Sequence, residues 1–220
     1  MAQNLAVALK FLKGIKNHND KEWFESHRDE YETSKAVFEV LIAEVIGGIG
    51  AFFDVWGVTP AECIFRIYRD VRFSANKLPY KSHMGAVIGP NGKSGVGFGY
   101  YVHIQPGGES IIAGGMHMPS SQQLAKFRSA ISRDARPFKR IISHREFASC
   151  FGEIAGEKLK TAPQGFSKEH SEIELLRLKE VMAIHGWTDA QVLGKDFAAD
   201  IVAAAKIMKP FLDYLRKITR

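Results

Sequence analysis

Residues 96–113, Val96-Gly-Phe-Gly-Tyr-Tyr-Val-His-Ile-Gln-Pro-Gly-Gly-Glu-Ser-Ile-Ile-Ala113, decide the fold class. Val96, Phe98, Tyr100, Val102 and Ile104 alternate with Gly97, Gly99, Tyr101 and His103, the period at which successive side chains face opposite sides of a strand. Gln105 to Ser110, built around Pro106-Gly107-Gly108, turns the chain into Ile111-Ile112-Ala113, so the stretch reads as an antiparallel hairpin.

The texture on either side is helical. Upstream, Asn19 reads as an N-cap with Glu22 at the third helical position, and Trp23, Phe24, His27 and Tyr31 recur behind it at helical spacing. That pattern runs on, with a break near Thr33-Ser34, through Phe38, Leu41, Ile42 and Val45 to Gly47-Gly48. Downstream, Ser120-Ser121 caps a helix carrying Leu124, Phe127 and Ile131 on one face. Two more helical patterns follow, Leu175 to Met182 and Phe197 to Met208, with Pro210 bending or restarting the last. The expectation is an α+β fold whose antiparallel sheet, over about residues 64–118, is flanked by N-terminal and C-terminal helices. No repeat, low-complexity tract or linker divides residues 1–220, so one domain is expected.

With 45% hydrophobic and 25% charged residues, the 220-residue chain has enough apolar material for a substantial core. No apolar run approaches the roughly 18 residues of a membrane span, and the first residues lack a basic stretch and a cleavage site. A cytoplasmic protein without a membrane partner is expected. Cys63 and Cys150 stand alone in apolar surroundings, with neither disulfide-framework nor zinc spacing, and read as buried free thiols.

Charge is distributed unevenly. Residues 1–62 sum to −4, residues 63–145 to +10 and residues 146–220 to zero. The middle segment therefore carries the whole excess, which points to phosphate, nucleic acid or another acidic ligand, or else to a basic surface facing the acidic first segment. Within it, residues 64–83 hold five fixed cations, Arg66, Arg69, Arg72, Lys77 and Lys81, around the single carboxylate Asp70.

Read as a strand, residues 64–73 turn Phe65, Ile67, Val71 and Phe73 to the core and present Arg66, Tyr68, Asp70 and Arg72 on the opposite face, with Arg69 the exception. Asp70, set among cations, should titrate low, which suits an acceptor orienting the arginines and argues against a general acid. One carboxylate cannot neutralise five cations, and arginine is suited to bidentate recognition of carboxylate or phosphate. The candidate ligand-binding set is Arg66, Arg69, Asp70, Arg72, Asn76, Lys77, Tyr80 and Lys81, with a turn at Asn76 to Pro79 folding Lys77 and Tyr80 back over the strand. Asp70 is the catalytic candidate: it would position Arg66, Arg72 and Lys77 for electrostatic stabilisation. The competing account is a salt-bridged strand whose arginines pair with the acidic N-terminal helices.

The run Phe65-Arg-Ile-Tyr-Arg-Asp-Val-Arg-Phe-Ser-Ala-Asn-Lys-Leu-Pro-Tyr-Lys81 closely resembles the signature of a family of conserved hypothetical proteins, domain of unknown function 2461. The resemblance extends to Asn19–Phe24 and Tyr31, to the Gly99–Pro106 strand, to Gly114-Gly115 before Pro119, and to Leu159–Phe166 with His170 and Lys179. The signature positions it carries over are Arg66, Arg69, Asp70, Arg72, Phe73, Asn76, Lys77 and Tyr80. It implies a fold and a focal site, and no activity.

Other motifs fail on their spacing. Gly92-Lys93-Ser94 looks like the end of a phosphate-binding loop, but the partner glycine position is Val87 and a strand follows. Gly95-Val-Gly-Phe-Gly99 leads into a strand rather than a helix, against a dinucleotide fingerprint, and Ser94 lacks the following glycine of a nucleophile elbow. His83, His103 and His117 flank the basic segment, but hairpin register separates His103 from His117 by roughly 20 Å, and two histidines are too few to name an ion. Neither a metal nor a cofactor is assigned. A small anionic ligand is the expected partner. The alternatives are single-stranded nucleic acid, favoured by Tyr68, Tyr80, Tyr101 and the cations Lys126, Arg128, Arg133, Arg136, Lys139 and Arg140, and docking to an acidic protein.

Overall fold

A computed structural model describes residues 4–94 and 98–219 of the chain. The described residues form an α+β fold with a four-stranded sheet in the order β1-β2-β3-β4, comprising β1 (Met84–Ile88), β2 (Tyr100–Ile104), β3 (Ser110–Met116) and β4 (Val181–Trp187). Contacts gather the chain into two compact units. One holds the described residues within 1–96, 100–112 and 186–203, the other those within 97–99, 113–185 and 204–220.

In the first unit, α1 (Leu5–Asn17) buries Leu5, Ala8, Leu9, Phe11, Leu12 and Ile15, a stripe at helical spacing that packs on α3 (Arg28–Ile49). Between them α2 (Lys21–Ser26) starts at Asp20, whose carboxylate accepts from the Trp23 backbone N–H at 2.9 Å. The cap is thus Asp20 and not Asn19. The helical break falls at His27, whose ring stacks on Trp23 at 4.0 Å, and not at Thr33-Ser34. There the hydroxyls donate to the carbonyls four residues back, Thr33 to Asp29 and Ser34 to Glu30, and the helix continues unbroken. The short α4 (Pro60–Cys63) follows a Thr59/Glu62 capping box.

The sheet begins later than the sequence suggests. Residues 64–73 are not a strand: only isolated bridges, Ile64 with Ala86 and Tyr68 with Tyr80, interrupt an irregular path. Its backbone is divided between two partners, because Phe65 donates to Gly85 while Arg69 pairs with Pro79, a residue with no N–H to extend a ladder. The apolar back fails with it. Ile67 is buried at 3% exposure, whereas Phe73 is 96% exposed. β1 instead starts at Met84 and pairs antiparallel with β2, Met84 opposite Ile104 and Ile88 opposite Tyr100. The hairpin from β2 into β3 lies where the alternation places it, although Gly95, Val96 and Gly97 at its start lie outside the described residues. Its tip uses Gly107 and Gly108 at φ 95° and 75°, and both N–H groups donate to the Asp189 carboxylate at 2.9–3.0 Å, at the start of α9 (Asp189–Val192).

In the second unit, α5 (Ser121–Arg133) carries the expected Ser120 cap in a box with Gln123 and buries Phe127 and Ile131. α6 (Arg136–Ile142) and α7 (Arg145–Phe151) follow, and Phe138 and Phe147 from them meet Phe211 of α10 (Phe197–Thr219) at 5.9 and 5.5 Å. α10 continues through Pro210 rather than restarting there. The helical pattern expected over Leu175 to Met182 splits: α8 (Ile173–Leu176) is a single turn, and Val181 opens β4 with Val181 and Ala183 buried and Ile184 exposed. Apolar residues at 175, 176, 178, 181 and 182 fit a helix by spacing, but the backbone at 180–182 is held as an edge. Ala155 bonds Met182 in both directions, and Gly115, at φ 138°, leaves no room for a Cβ against the Val181 carbonyl.

Candidate functional site

The basic segment folds back on itself inside the first unit. Arg69 N–H donates to the Pro79 carbonyl at 2.8 Å and Lys81 N–H to the Ile67 carbonyl at 2.9 Å, so residues 67–69 and 79–81 form the two sides of a hairpin around residues 70–78. The turn is closed by local bonds. Asn76 Oδ1 accepts from Leu78 N–H at 3.0 Å, and Lys77 Nζ donates to the Val71 carbonyl at 2.9 Å. An anchor fixes the hairpin to the helices: Asn19 donates from Nδ2 to the Tyr80 carbonyl and accepts the Tyr80 N–H on Oδ1, both at 3.0 Å. The Tyr80 ring, 4% exposed, stacks on Phe24 with centroids 4.2 Å apart, and Tyr31 and Tyr68 close the same aromatic cluster. Such stacking adds about 0.5–1.5 kcal/mol beyond the area it buries.

The candidate residues therefore separate by environment. Asp70 binds Arg72 through a two-pronged ion pair, Nε to Oδ1 at 3.0 Å and a terminal nitrogen to Oδ2 at 2.7 Å, with the Arg72 side chain 76% exposed. That hydrogen bond, then the Arg72 backbone N–H and the nearby Arg66 charge, hold the Asp70 carboxyl below the usual range, and Asp70 raises the Arg72 guanidinium in return. Lys77 and Lys81 each place an ammonium on a backbone carbonyl; Lys81 Nζ reaches that of Arg66 at 2.8 Å and lies 5.3 Å over the Phe65 ring. Burial, then Arg66, lowers its pKa. Among the described residues, the guanidiniums of Arg66 and Arg69 have neither a hydrogen bond nor an ion pair. Arg72 is thus engaged by the local carboxylate rather than by the acidic N-terminal helices, and Arg66 by neither.

Arg66 lines a cleft of about 340 Å³. Tyr31, Lys35, Phe38 and Glu39 of α3 form one side; Ile64, Phe65 and Ile67 of the basic segment form another; His83, Met84 and Lys93 complete it. Arg72 and Lys77 do not line it, and neither does Tyr80. The cations come from three places in the chain. Lys35 lies 3.6 Å from Glu39, Lys93 Nζ donates to the Ala61 and Ile64 carbonyls at 2.7 and 2.8 Å, and Arg66 is uncommitted. Lys35, His83 and Lys93 are additions to the set expected from the sequence. Lys93 was visible only as part of a failed phosphate-loop motif, and Lys35 carried no signal of its own on an acidic helix.

Elsewhere some of the basic residues have internal partners. In the second unit Arg128 caps the Leu176 and Leu178 carbonyls, Lys126 that of Thr219, Arg136 pairs with Asp134 and Lys139 with Glu172. Cys63 is buried, its thiol pushed up to about 11 by burial, and Cys150 is half-buried; both are free. No group of three metal-ligating side chains converges among the described residues, and no described helix is long and apolar enough to cross a membrane.

The chain belongs to the conserved hypothetical protein family DUF2461, whose sequence model matches residues 7–214. No curated protein and no solved structure matches it.

Proposed function

We propose that the protein binds a small phosphorylated or carboxylated molecule in the cleft lined by Arg66. The observation that carries this reading is the Arg66 guanidinium itself, a fixed cation without an internal partner beside a cleft whose other cations are held by carbonyls or by Glu39. Its volume falls in the roughly 300–1,000 Å³ range of small-molecule sites, and the apolar wall of Phe38, Ile64, Phe65, Ile67 and Met84 suits a ligand with an organic body behind its anionic group. A reaction in the cleft would draw on electrostatic stabilisation by Arg66, with Asp70 and Arg72 shaping the adjoining turn. The unpaired Cys63 and Cys150 suit a reducing, cytoplasmic setting.

The test is retention of metabolites by purified protein, wild type against Arg66→Ala and Arg72→Ala. Arg66→Ala should lose an anionic metabolite that wild type and Arg72→Ala both retain. Equal retention by all three proteins would remove Arg66 from the site. A second reading, single-stranded nucleic acid, is favoured by Phe73, which stands exposed on the 70–78 turn with the Arg72 guanidinium 5.8 Å over its ring, where a base can stack. Against it weighs the engagement of Lys126 and Arg128 by backbone carbonyls and of Arg136 and Lys139 by Asp134 and Glu172, which leaves Arg133 and Arg140 as the members of that group without a hydrogen bond or ion pair among the described residues.

A further inference from the structure

Phe73 stands 96% exposed, a whole phenyl ring in water, on the turn that joins the two sides of the basic hairpin. The turn is not a loose loop. Lys77 Nζ ties back to the Val71 carbonyl at 2.9 Å, and Asn76 accepts from Leu78 N–H at 3.0 Å, so local bonds hold the ring out rather than letting it fold inward. Leu78 is 46% exposed on the same turn, and Arg72, Asn76 and Lys77 are exposed with it. These residues form a projection, not a groove.

The charge around the tip is positive and mostly unspent. Arg72 and Asp70 cancel each other. Arg69 has neither a hydrogen bond nor an ion pair among the described residues. Lys77 and Lys81 donate to carbonyls, which are neutral, so both ammonium groups keep their full charge, and Arg66 adds another. Residues 66–81 therefore carry a net +4.

We propose that the 70–78 turn docks on an anionic lipid surface, with Phe73 and Leu78 entering the interface and the surrounding cations drawn to the headgroup phosphates. Apolar side chains beside lysine and arginine are the pairing that anionic bilayer surfaces hold, the ring taking the acyl boundary and the cations the negative surface potential. A protein partner would have to build a pocket around one ring on a projecting tip, whereas a bilayer interface opens around it. The contact lies on the membrane and not across it, in keeping with helices too short or too polar to span. It is separate from the cleft, because Arg69, Phe73 and Leu78 do not line it.

The test is flotation of the full chain with two kinds of vesicle, phosphatidylcholine alone and phosphatidylcholine with roughly a third phosphatidylserine. Wild type should float only with the second and be released as salt is raised. Phe73→Ser should weaken binding about tenfold or more, the scale of withdrawing one buried aromatic side chain, and should melt with wild type because the ring is already in water. Arg69→Gln should weaken it about fivefold. Phe73→Trp gives a readout of position: with brominated phosphatidylcholine in the vesicles, its emission should be quenched beyond the wild-type signal. Equal binding to both vesicles, binding unchanged by Phe73→Ser, or an unquenched indole in bound Phe73→Trp overturns the proposal. Binding to neither vesicle also overturns it, and if Phe73→Ser then loses affinity for a labelled oligonucleotide, the tip belongs to the nucleic-acid reading.

Discussion

Arg66 and Arg72 are six residues apart in one basic run and differ in what holds them. Arg72 is tied to a carboxylate two residues away on an exposed turn, and exposed pairs of this kind contribute little to stability. Arg72→Ala should therefore leave the melting temperature within about 2 °C, the scale of most surface substitutions, as read by calorimetry. A large drop would mark the pair as structural. His83 gives a pH signature of the same sign as a carboxylate held low by a salt bridge, at higher pH. Its pKa is lower in the folded protein, about 4, than the ordinary imidazole value of about 6.5, so between those values the unfolded chain binds the extra proton. Stability is then fully present above about pH 6.5 and falls as the pH drops toward 4. In thermal melts across that range, His83→Gln should show a shallower fall than wild type, and parallel profiles would contradict the burial of a neutral imidazole. At this scale the sequence is informative about residue type and silent about partners. Nothing in the local sequence distinguishes the arginine that Asp70 engages from the one it leaves open.

At the scale of elements, legibility tracks how local the determining forces are. The Ser120 cap, the β2–β3 hairpin and the α10 periodicity depend on neighbours within a few residues, and each is readable in the chain. Residues 64–73 alternate as a strand does but lack a continuous ladder partner, a fact that resides at Gly85 and Pro79. β4 is hidden for the converse reason, since its apolar spacing also fits a helix and only the glycines facing it reveal a close backbone approach. Asn19 is the clearest case of a misread local signal: it looks like a cap and serves as a long-range clamp on Tyr80. Removing both hydrogen bonds in Asn19→Ala should cost about 1–3 kcal/mol and lower the melting temperature by roughly 3–10 °C. Faster amide exchange at Arg69 and Lys81 than in wild type should accompany it. Unchanged exchange there would show that the aromatic stack on Phe24 suffices alone.

Across the whole chain, the +10 of the middle segment is a sum over dissimilar environments, much of it held by carbonyls and nearby carboxylates. Composition thus signals an acidic ligand without indicating how many cations face it. The family match reaches nearly end to end, so the residues that build both units are covered by it, and the α+β class inferred from periodicity stands with a fourth strand added. The distribution of held and open cations makes a prediction about salt. A single-strand binder neutralising about four phosphates shows a log-log slope near −3. This protein should bind a labelled oligonucleotide weakly, with a much shallower slope, and millimolar inorganic phosphate should displace it. Tight binding with a steep slope that phosphate affects only through ionic strength would favour the nucleic-acid reading.

The carboxylate that clasps Gly107 and Gly108 belongs to Asp189, 82 residues further along the chain than Gly107. A ribosome adding about 5–20 residues per second delivers it roughly 4–16 s after the turn it secures. During that interval the nascent hairpin has its alternating side chains but no clasp at its tip, and the unit containing it still awaits residues 186–203. Stalled or truncated chains ending before residue 189 should therefore carry a looser hairpin tip, which makes the 105–110 loop one place where an incomplete chain opens to proteases and to quality control.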